Sequence, residues 1–173
     1  MSDIPSRLHH SAVVVKDLAA SKKFYENIMG LPLTATWCES NERLGDFCHA
    51  FFSLDDDSAV ALFQFADEEM YNSVKRPTDL SPFHHLALAV TKATQDDIRN
   101  RADAAGIENY TTNHGYCVSL YLVDPDGHRV EVTYDTTDAL EHADFIRNRA
   151  AEELERWLSG DHTTNNDLRA AAK

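Results

Sequence analysis

Apolar positions along this chain follow two rhythms that take turns. Residues 8–15 form a short apolar run, after which Leu18, Ser21, Phe24, Tyr25, Ile28 and Leu31 recur at helical spacing. Asp17 is a suitable N-cap for that helix and Gly30 a suitable stop. Extended segments are then expected at 33–38, 46–54 and 59–65, the last two separated by the turn-forming Asp55-Asp56-Asp57-Ser58. Residues 67–82 are polar and proline-bearing and read as a linker. The order then restarts with a strand at 83–90 and a helix at 94–105 with Gly106 behind it. Strands follow at 109–112, 118–123 and 129–134, the last two joined by Asp124-Pro125-Asp126-Gly127.

The two halves also match residue by residue. His9-His10-Ser11-Ala12-Val13-Val14-Val15 lies over His84-His85-Leu86-Ala87-Leu88-Ala89-Val90. The reading is an α+β fold of two tandem βαβββ modules, 6–66 and 83–135, within one domain spanning 6–135. One four-stranded unit leaves a sheet face bare, so the two mixed sheets are expected to cup and bury those faces. Beyond them, 138–158 sets Leu140, Ala143, Ala150, Leu154 and Leu158 along one stripe, the pattern of an amphipathic helix docked on the sheet or on a partner subunit. The small, polar residues 159–173 are expected to be a disordered tail.

Composition narrows the functional classes. At 173 residues and 43% apolar the chain is the size of one domain with a real core. A net charge of -13 repels phosphate backbones and anionic lipid surfaces, so neither nucleic acid nor membrane is an expected partner. With no signal-peptide layout and no apolar run of membrane length, a cytoplasmic location is expected. Cys38, Cys48 and Cys117 lack a CxxC pair and are expected to be reduced and mostly buried.

The histidines carry the candidate chemistry. A strand doublet sends its rings to opposite faces, so His10 shares a face with Ala12 and Val14, and His85 with Ala87 and Ala89. Either alone could be a hydrogen-bonded core histidine; matching positions in both repeats favour function. In the last hairpin Tyr121 falls roughly opposite Glu131, a carboxylate flanked by Val130 and Val132 that needs compensation if buried. Two imidazoles and a carboxylate form the set that suits Fe(II), with Mn(II), Zn(II), Co(II) and Ni(II) as alternatives. His49 is expected to be a satisfied core histidine and His128 a solvated one. Phe51, Phe52, Phe63 and Phe65 are read as core packing, and Tyr116 is left open.

The segments HSAVVVKDLAASKKFYENIMGL, HHLALAV and YLVDPDGHRVEV, which lie within roughly residues 6–135, resemble the vicinal oxygen chelate superfamily. That superfamily includes glyoxalase I, methylmalonyl-CoA epimerase, fosfomycin and bleomycin resistance proteins and extradiol dioxygenases. The resemblance implies His10, His85 and Glu131 as metal ligands. Ser58-Ala59-Val60-Ala61-Leu62 laid over Gly127-His128-Arg129-Val130-Glu131 puts Leu62 at the place of a fourth ligand, which leaves the metal open positions; a shift of two residues would substitute Gln64. The stretch from Asn113 to Tyr121 is similar to the extradiol pattern, which implies His114 as proton shuttle and Tyr121 as the group that orients a bound oxygen. The leading expectation is therefore an Fe(II)-dependent extradiol-type dioxygenase taking a catechol-like small molecule and O2, as a homodimer. The alternatives are an isomerase, lyase or thiol transferase of the same superfamily, or a non-catalytic bleomycin-type binding protein.

Overall fold

The computed structural model describes residues 5–75, 77, 81 and 83–171. The side chain of Asp17 accepts from the amides of Ala19 and Ala20 and starts α1 (Leu18–Lys23). The helix then widens into a π-helical turn, Phe24–Ile28, closed by the Met29 amide on the Phe24 carbonyl at 3.0 Å, which turns Phe24, Tyr25 and Ile28 inward. Gly30, at φ 77°, ends it. Strands β1 (His10–Val14), β2 (Leu33–Asn41), β3 (Gly45–Ser53) and β4 (Ala59–Phe65) make one sheet in the order β1-β4-β3-β2. The second module repeats this design. β5 (Leu86–Ala89), α3 (Lys92–Ala104, capped by Thr91), β6 (Asn109–Asn113), β7 (Cys117–Val123) and β8 (Arg129–Asp135) give the order β5-β8-β7-β6. In each sheet the first strand runs parallel to the last and the other pairs are antiparallel. The result is the α+β architecture of two four-stranded mixed sheets with helices that the sequence pattern implies.

Several segments differ from expectation. The supposed linker carries a helix, α2 (Glu68–Val74), because the Asp67 carboxylate caps the Met70 amide at 2.7 Å; Arg76, residues 78–80 and Pro82 of that stretch lie outside the described residues. The C-terminal stripe is split at His142 into α4 (Thr137–Glu141) and α5 (Ala143–Leu158). The expected disordered tail contains α6 (Asp167–Ala171), with residues 172–173 outside the described ones. Cys38 is exposed and Cys48 half-buried, their sulfurs 3.8 Å apart, so only Cys117 is a core cysteine. Among the described residues no helix is long and apolar enough to cross a membrane.

One apolar cluster serves both modules, and it lies on the helix-covered sides of the sheets. Phe52 and Leu62 of the first sheet meet Leu120, Leu122, Val130 and Val132 of the second through Tyr25, Ile28 and Ile98 of the helices. The faces carrying His10 and His85 are not buried within the chain: His10, Ala12, Ala87 and Ala89 are exposed.

Polar ties at the β7–β8 turn set this arrangement. Asp124 is buried and accepts from Tyr25 Oη at 3.1 Å and from the amides of Asp126 and His128. Burial pushes its carboxyl above the usual range and pushes the Tyr25 phenol well up, with Asp124 adding to the latter. Asp126 takes the Lys16 amide at 2.6 Å and Ser21 Oγ at 3.3 Å. His128, far from being solvated, donates Nε2 to the Val14 carbonyl at 3.0 Å, and Arg101 donates to the Ile28 carbonyl at 2.7 Å. Asp126→Ala removes the acceptor of the Lys16 amide and of Ser21 Oγ and loosens the modules; urea unfolding is expected to show a loss of about 0.5–1.5 kcal/mol. A variant as stable as the parent would show that the turn does not tie the modules together.

Candidate metal centre

The second module brings its chemistry together through strand register. Ala87 pairs with Glu131 across β5–β8 and Tyr121 pairs with Glu131 across β7–β8, so His85, Tyr121 and Glu131 converge on the open face. His85 Nε2 lies 2.8 Å from Glu131 Oε2, and Ser119 Oγ donates to Glu131 Oε1. Glu131 is 6% exposed, and its carboxylate is met by the Ser119 hydroxyl and the His85 imidazole, with the Tyr121 phenol beside it. Such a carboxylate invites a cation. Tyr121 Oη lies 3.0 Å from His114 Nε2, and the Tyr121 ring stands edge-on to that of His85 at 6.0 Å between centroids. Burial, with the Glu131 charge second, holds the Tyr121 phenol above its ordinary range, so it stays a neutral donor.

His114 sits in the turn between β6 and β7, where its amide donates to the Cys117 carbonyl and its own carbonyl accepts from Asn166 Nδ2 at 3.0 Å. Tyr116 stacks beside it, centroids 5.9 Å apart. Ser119 went unrecognised in the sequence. Its signal was available: it lies two residues before Tyr121 in the same strand, and therefore on the same face.

The remaining expected ligand lies elsewhere. His10 belongs to the first sheet, with Nδ1 2.7 Å from His9 Nδ1 and its ring near Phe51 and His49. His9 precedes β1, so strand alternation does not separate the two rings. Among the described residues of one chain, no three His, Cys, Asp or Glu side chains are grouped to hold a metal. His85 and Glu131 supply two donors; His10 is not with them.

Register also relocates the supposed fourth position. Ala12 pairs with Ala61 as Ala87 pairs with Glu131, so the counterpart of Glu131 is Ala61 and not Leu62. Leu62 is fully buried on the core side. Gln64 shares that side, and its Oε1 accepts the Leu18 amide at 3.0 Å, so it is occupied at the start of α1 rather than available as a ligand. Of the four phenylalanines read as core, only Phe52 is; Phe51, Phe63 and Phe65 are half-exposed on the His10 face. His49 differs from expectation too, because its buried Nε2 has no hydrogen-bond partner among the described residues. Burial, reinforced by nearby His10, lowers its imidazole pKa.

Residues 7–132 match the family model of the Glyoxalase/Bleomycin resistance protein/Dioxygenase superfamily. The chain is 26% identical over 125 residues to the glutathione transferase FosA of Serratia marcescens, covering 72% of this chain and 78% of that protein. It is 30% identical over 128 residues to a probable lactoylglutathione lyase of Synechocystis sp., covering 72% and 92%. Among solved structures it resembles the fosfomycin resistance protein FosX of Listeria monocytogenes, in a variant complexed with Mn(II) and 1S,2S-dihydroxypropylphosphonic acid. The TM-score there is 0.57 at 19% identity, covering 78% and 97% of the two chains. A glyoxylase/bleomycin resistance protein/dioxygenase domain from Frankia gives 0.59 at 20% identity, covering 77% and 100%. The two relatives matched by sequence are a transferase and a probable lyase by name, and neither is a ring-cleaving dioxygenase.

The donor set predicts metal-linked stability. A divalent metal at a hundredfold excess over its Kd is expected to add about 2.7 kcal/mol to unfolding, read as a higher Tm. The gain should vanish in His85→Ala; an equal gain in that variant would remove His85 from the site.

Proposed function

The chain belongs to the Glyoxalase/Bleomycin resistance protein/Dioxygenase superfamily, and on that premise we propose that it is a metal-dependent enzyme of the isomerase, lyase or thiol-transferase kind. Its substrate is a small molecule that presents two neighbouring oxygens. The observation that carries this reading is the buried Glu131 carboxylate, 2.8 Å from His85 and beside Tyr121 and His114 on an open sheet face.

His85 and Glu131 would hold a divalent metal, with His10 of the partner subunit as the third ligand. A homodimer supplies that ligand because the faces bearing His10 and His85 are exposed in one chain and the two histidines lie on different sheets. Two imidazoles and a carboxylate accept Mn(II), Zn(II), Co(II), Ni(II) or Fe(II), and the donor set gives Fe(II) no preference. When bound, the metal supplies Lewis-acid polarisation of the substrate oxygens.

The chain's own groups do the rest. Ser119 fixes the Glu131 carboxylate by its hydroxyl bond. Tyr121 Oη donates to a substrate oxygen and so orients it. His114 Nε2, 3.0 Å from Tyr121 Oη, holds or moves the proton that such a rearrangement or addition requires.

The same His114–Tyr121 bond favours a second reading, the extradiol dioxygenase, in which that pair manages substrate protons while O2 is consumed. Oxygen dependence separates the two. Turnover of the metal-loaded protein is expected to continue unchanged under argon, and turnover that stops under argon and resumes in air would establish the dioxygenase instead.

The shared site has its own test. His10→Ala and His85→Ala homodimers should each fail to retain metal, whereas co-expression of both chains pairs one intact site in each mixed dimer. Random pairing then restores about a quarter of the wild-type metal content. No recovery would sink the two-subunit site.

A further inference from the structure

The two modules superpose in register, so each residue on one open face has a counterpart on the other. Phe51 pairs with Ala61 as Tyr121 pairs with Glu131, and His49 pairs with Phe63 as Ser119 pairs with Thr133. The hydroxyl-bearing Ser119, Tyr121 and Thr133 of the second module thus stand where the first carries His49, Phe51 and Phe63, and its Glu131 carboxylate where the first has Ala61. On the first face His49 and Phe63 stack with centroids 3.6 Å apart, and Phe51 lies 4.3 Å from His49 and 5.6 Å from His10. Trp37, opposite His49 in β2, extends the row and is 60% exposed. Three observations mark this surface as unfinished: the rings are left half-open to water, His10 stands at their edge, and His49 Nε2 is buried without a hydrogen-bond partner among the described residues.

We infer that this face is an aromatic platform that takes a flat, uncharged ring of the substrate, whose adjacent oxygens reach the metal. The inference rests on the two-subunit site proposed above, which sets His10 of the partner subunit, and with it these rings, against His85 and Glu131. Charge decides the ligand class. No lysine or arginine lies in the rows that hold Trp37, His49, Phe51 and Phe63; the nearby charge on that face is Glu39, opposite Phe47. On the other face Arg129 is already engaged by Tyr110, both hydrogen-bonded to its hydroxyl and lying over its ring. A phosphonate, or a thiol peptide bearing several carboxylates, would find acid and rings where it needs cations. A planar aromatic diol or hydroxycarbonyl finds stacking partners.

Calorimetric titration of the full-length Mn(II)-loaded protein tests this with three chelating probes: 2,3-dihydroxynaphthalene, trans-cyclohexane-1,2-diol and phosphonoformate. The naphthalene diol is expected to bind tightest, and Phe63→Leu should weaken it about tenfold while leaving the weaker cyclohexane diol unchanged. Phe63→Tyr keeps the ring and should retain the affinity, which separates stacking from a fold defect. Tighter binding of phosphonoformate, or naphthalene binding indifferent to Phe63→Leu, overturns the platform. A change in dimer mass without a change in ligand binding would do so too, since the rings would then pack against the second copy. A parallel titration of metal-free protein with 2-naphthol distinguishes the two layers of the argument. Phe63-dependent binding there, without any gain on adding Mn(II) to the diol titration, would leave the platform standing and discard the metal reading.

Discussion

The β7–β8 turn, with two aspartates reaching across to the first module, is the constraint on which the other features depend. Asp126 holds the amide of Lys16 and the hydroxyl of Ser21 at the head of α1, and Asp124 holds the phenol of Tyr25 one turn further on. These bonds direct the helix-covered sides of both sheets toward a single apolar cluster. A buried carboxylate in such a place is costly unless its hydrogen bonds are satisfied, and Asp124 has a phenol and two amides. The consequence appears on the other side of the sheets. Once the cores are merged, the two faces that bear histidines stay open on the chain, with His85 beside Glu131 on one and His10 on the other.

Duplication followed by divergence explains how those faces differ. Both modules keep a histidine at the head of the first strand and alanines two residues on, which leaves space above the sheet. At the next position across, one module has Glu131 and the other Ala61. One face therefore concentrates charge and exchangeable protons, and the other concentrates rings. In the proposed homodimer unlike faces would meet, and twofold symmetry would make two equivalent clefts from two unequal halves.

The polar cluster of the second module shows how little separates a structural group from a chemical one. Ser119 fixes Glu131, and the Tyr121 phenol, kept neutral by burial and the Glu131 charge, stays a donor toward whatever occupies the face. The His114 carbonyl is held by Asn166 from the C-terminal segment, outside the residues matched by the family model. The supporting contacts of this cluster thus reach beyond the duplicated unit.

Local signals were legible in the sequence because their causes are local. Asp17 caps α1, Gly30 ends the turn that follows, the Asp124–Gly127 hairpin sets the pairing of Tyr121 with Glu131, and the doubled His-His motif announces two modules of one design. Sequence and structure part where the answer depends on which side of a strand faces the core. Sequence overlay puts Leu62 in the place of Glu131 because it does not count register from β1, which selects Ala61. Gln64 kept an open role because its partner, the Leu18 amide, lies 46 residues away. Phe51 and Phe63 look like core to any composition argument, since exposure belongs to the assembled sheet and not to the residue type. The sequence by itself determined the elements, their repetition and the residue types able to bind a metal. Only the tertiary structure decided that His85 meets Glu131 while His10 stands apart, because convergence of side chains depends on how the modules join, and distant polar ties govern that junction.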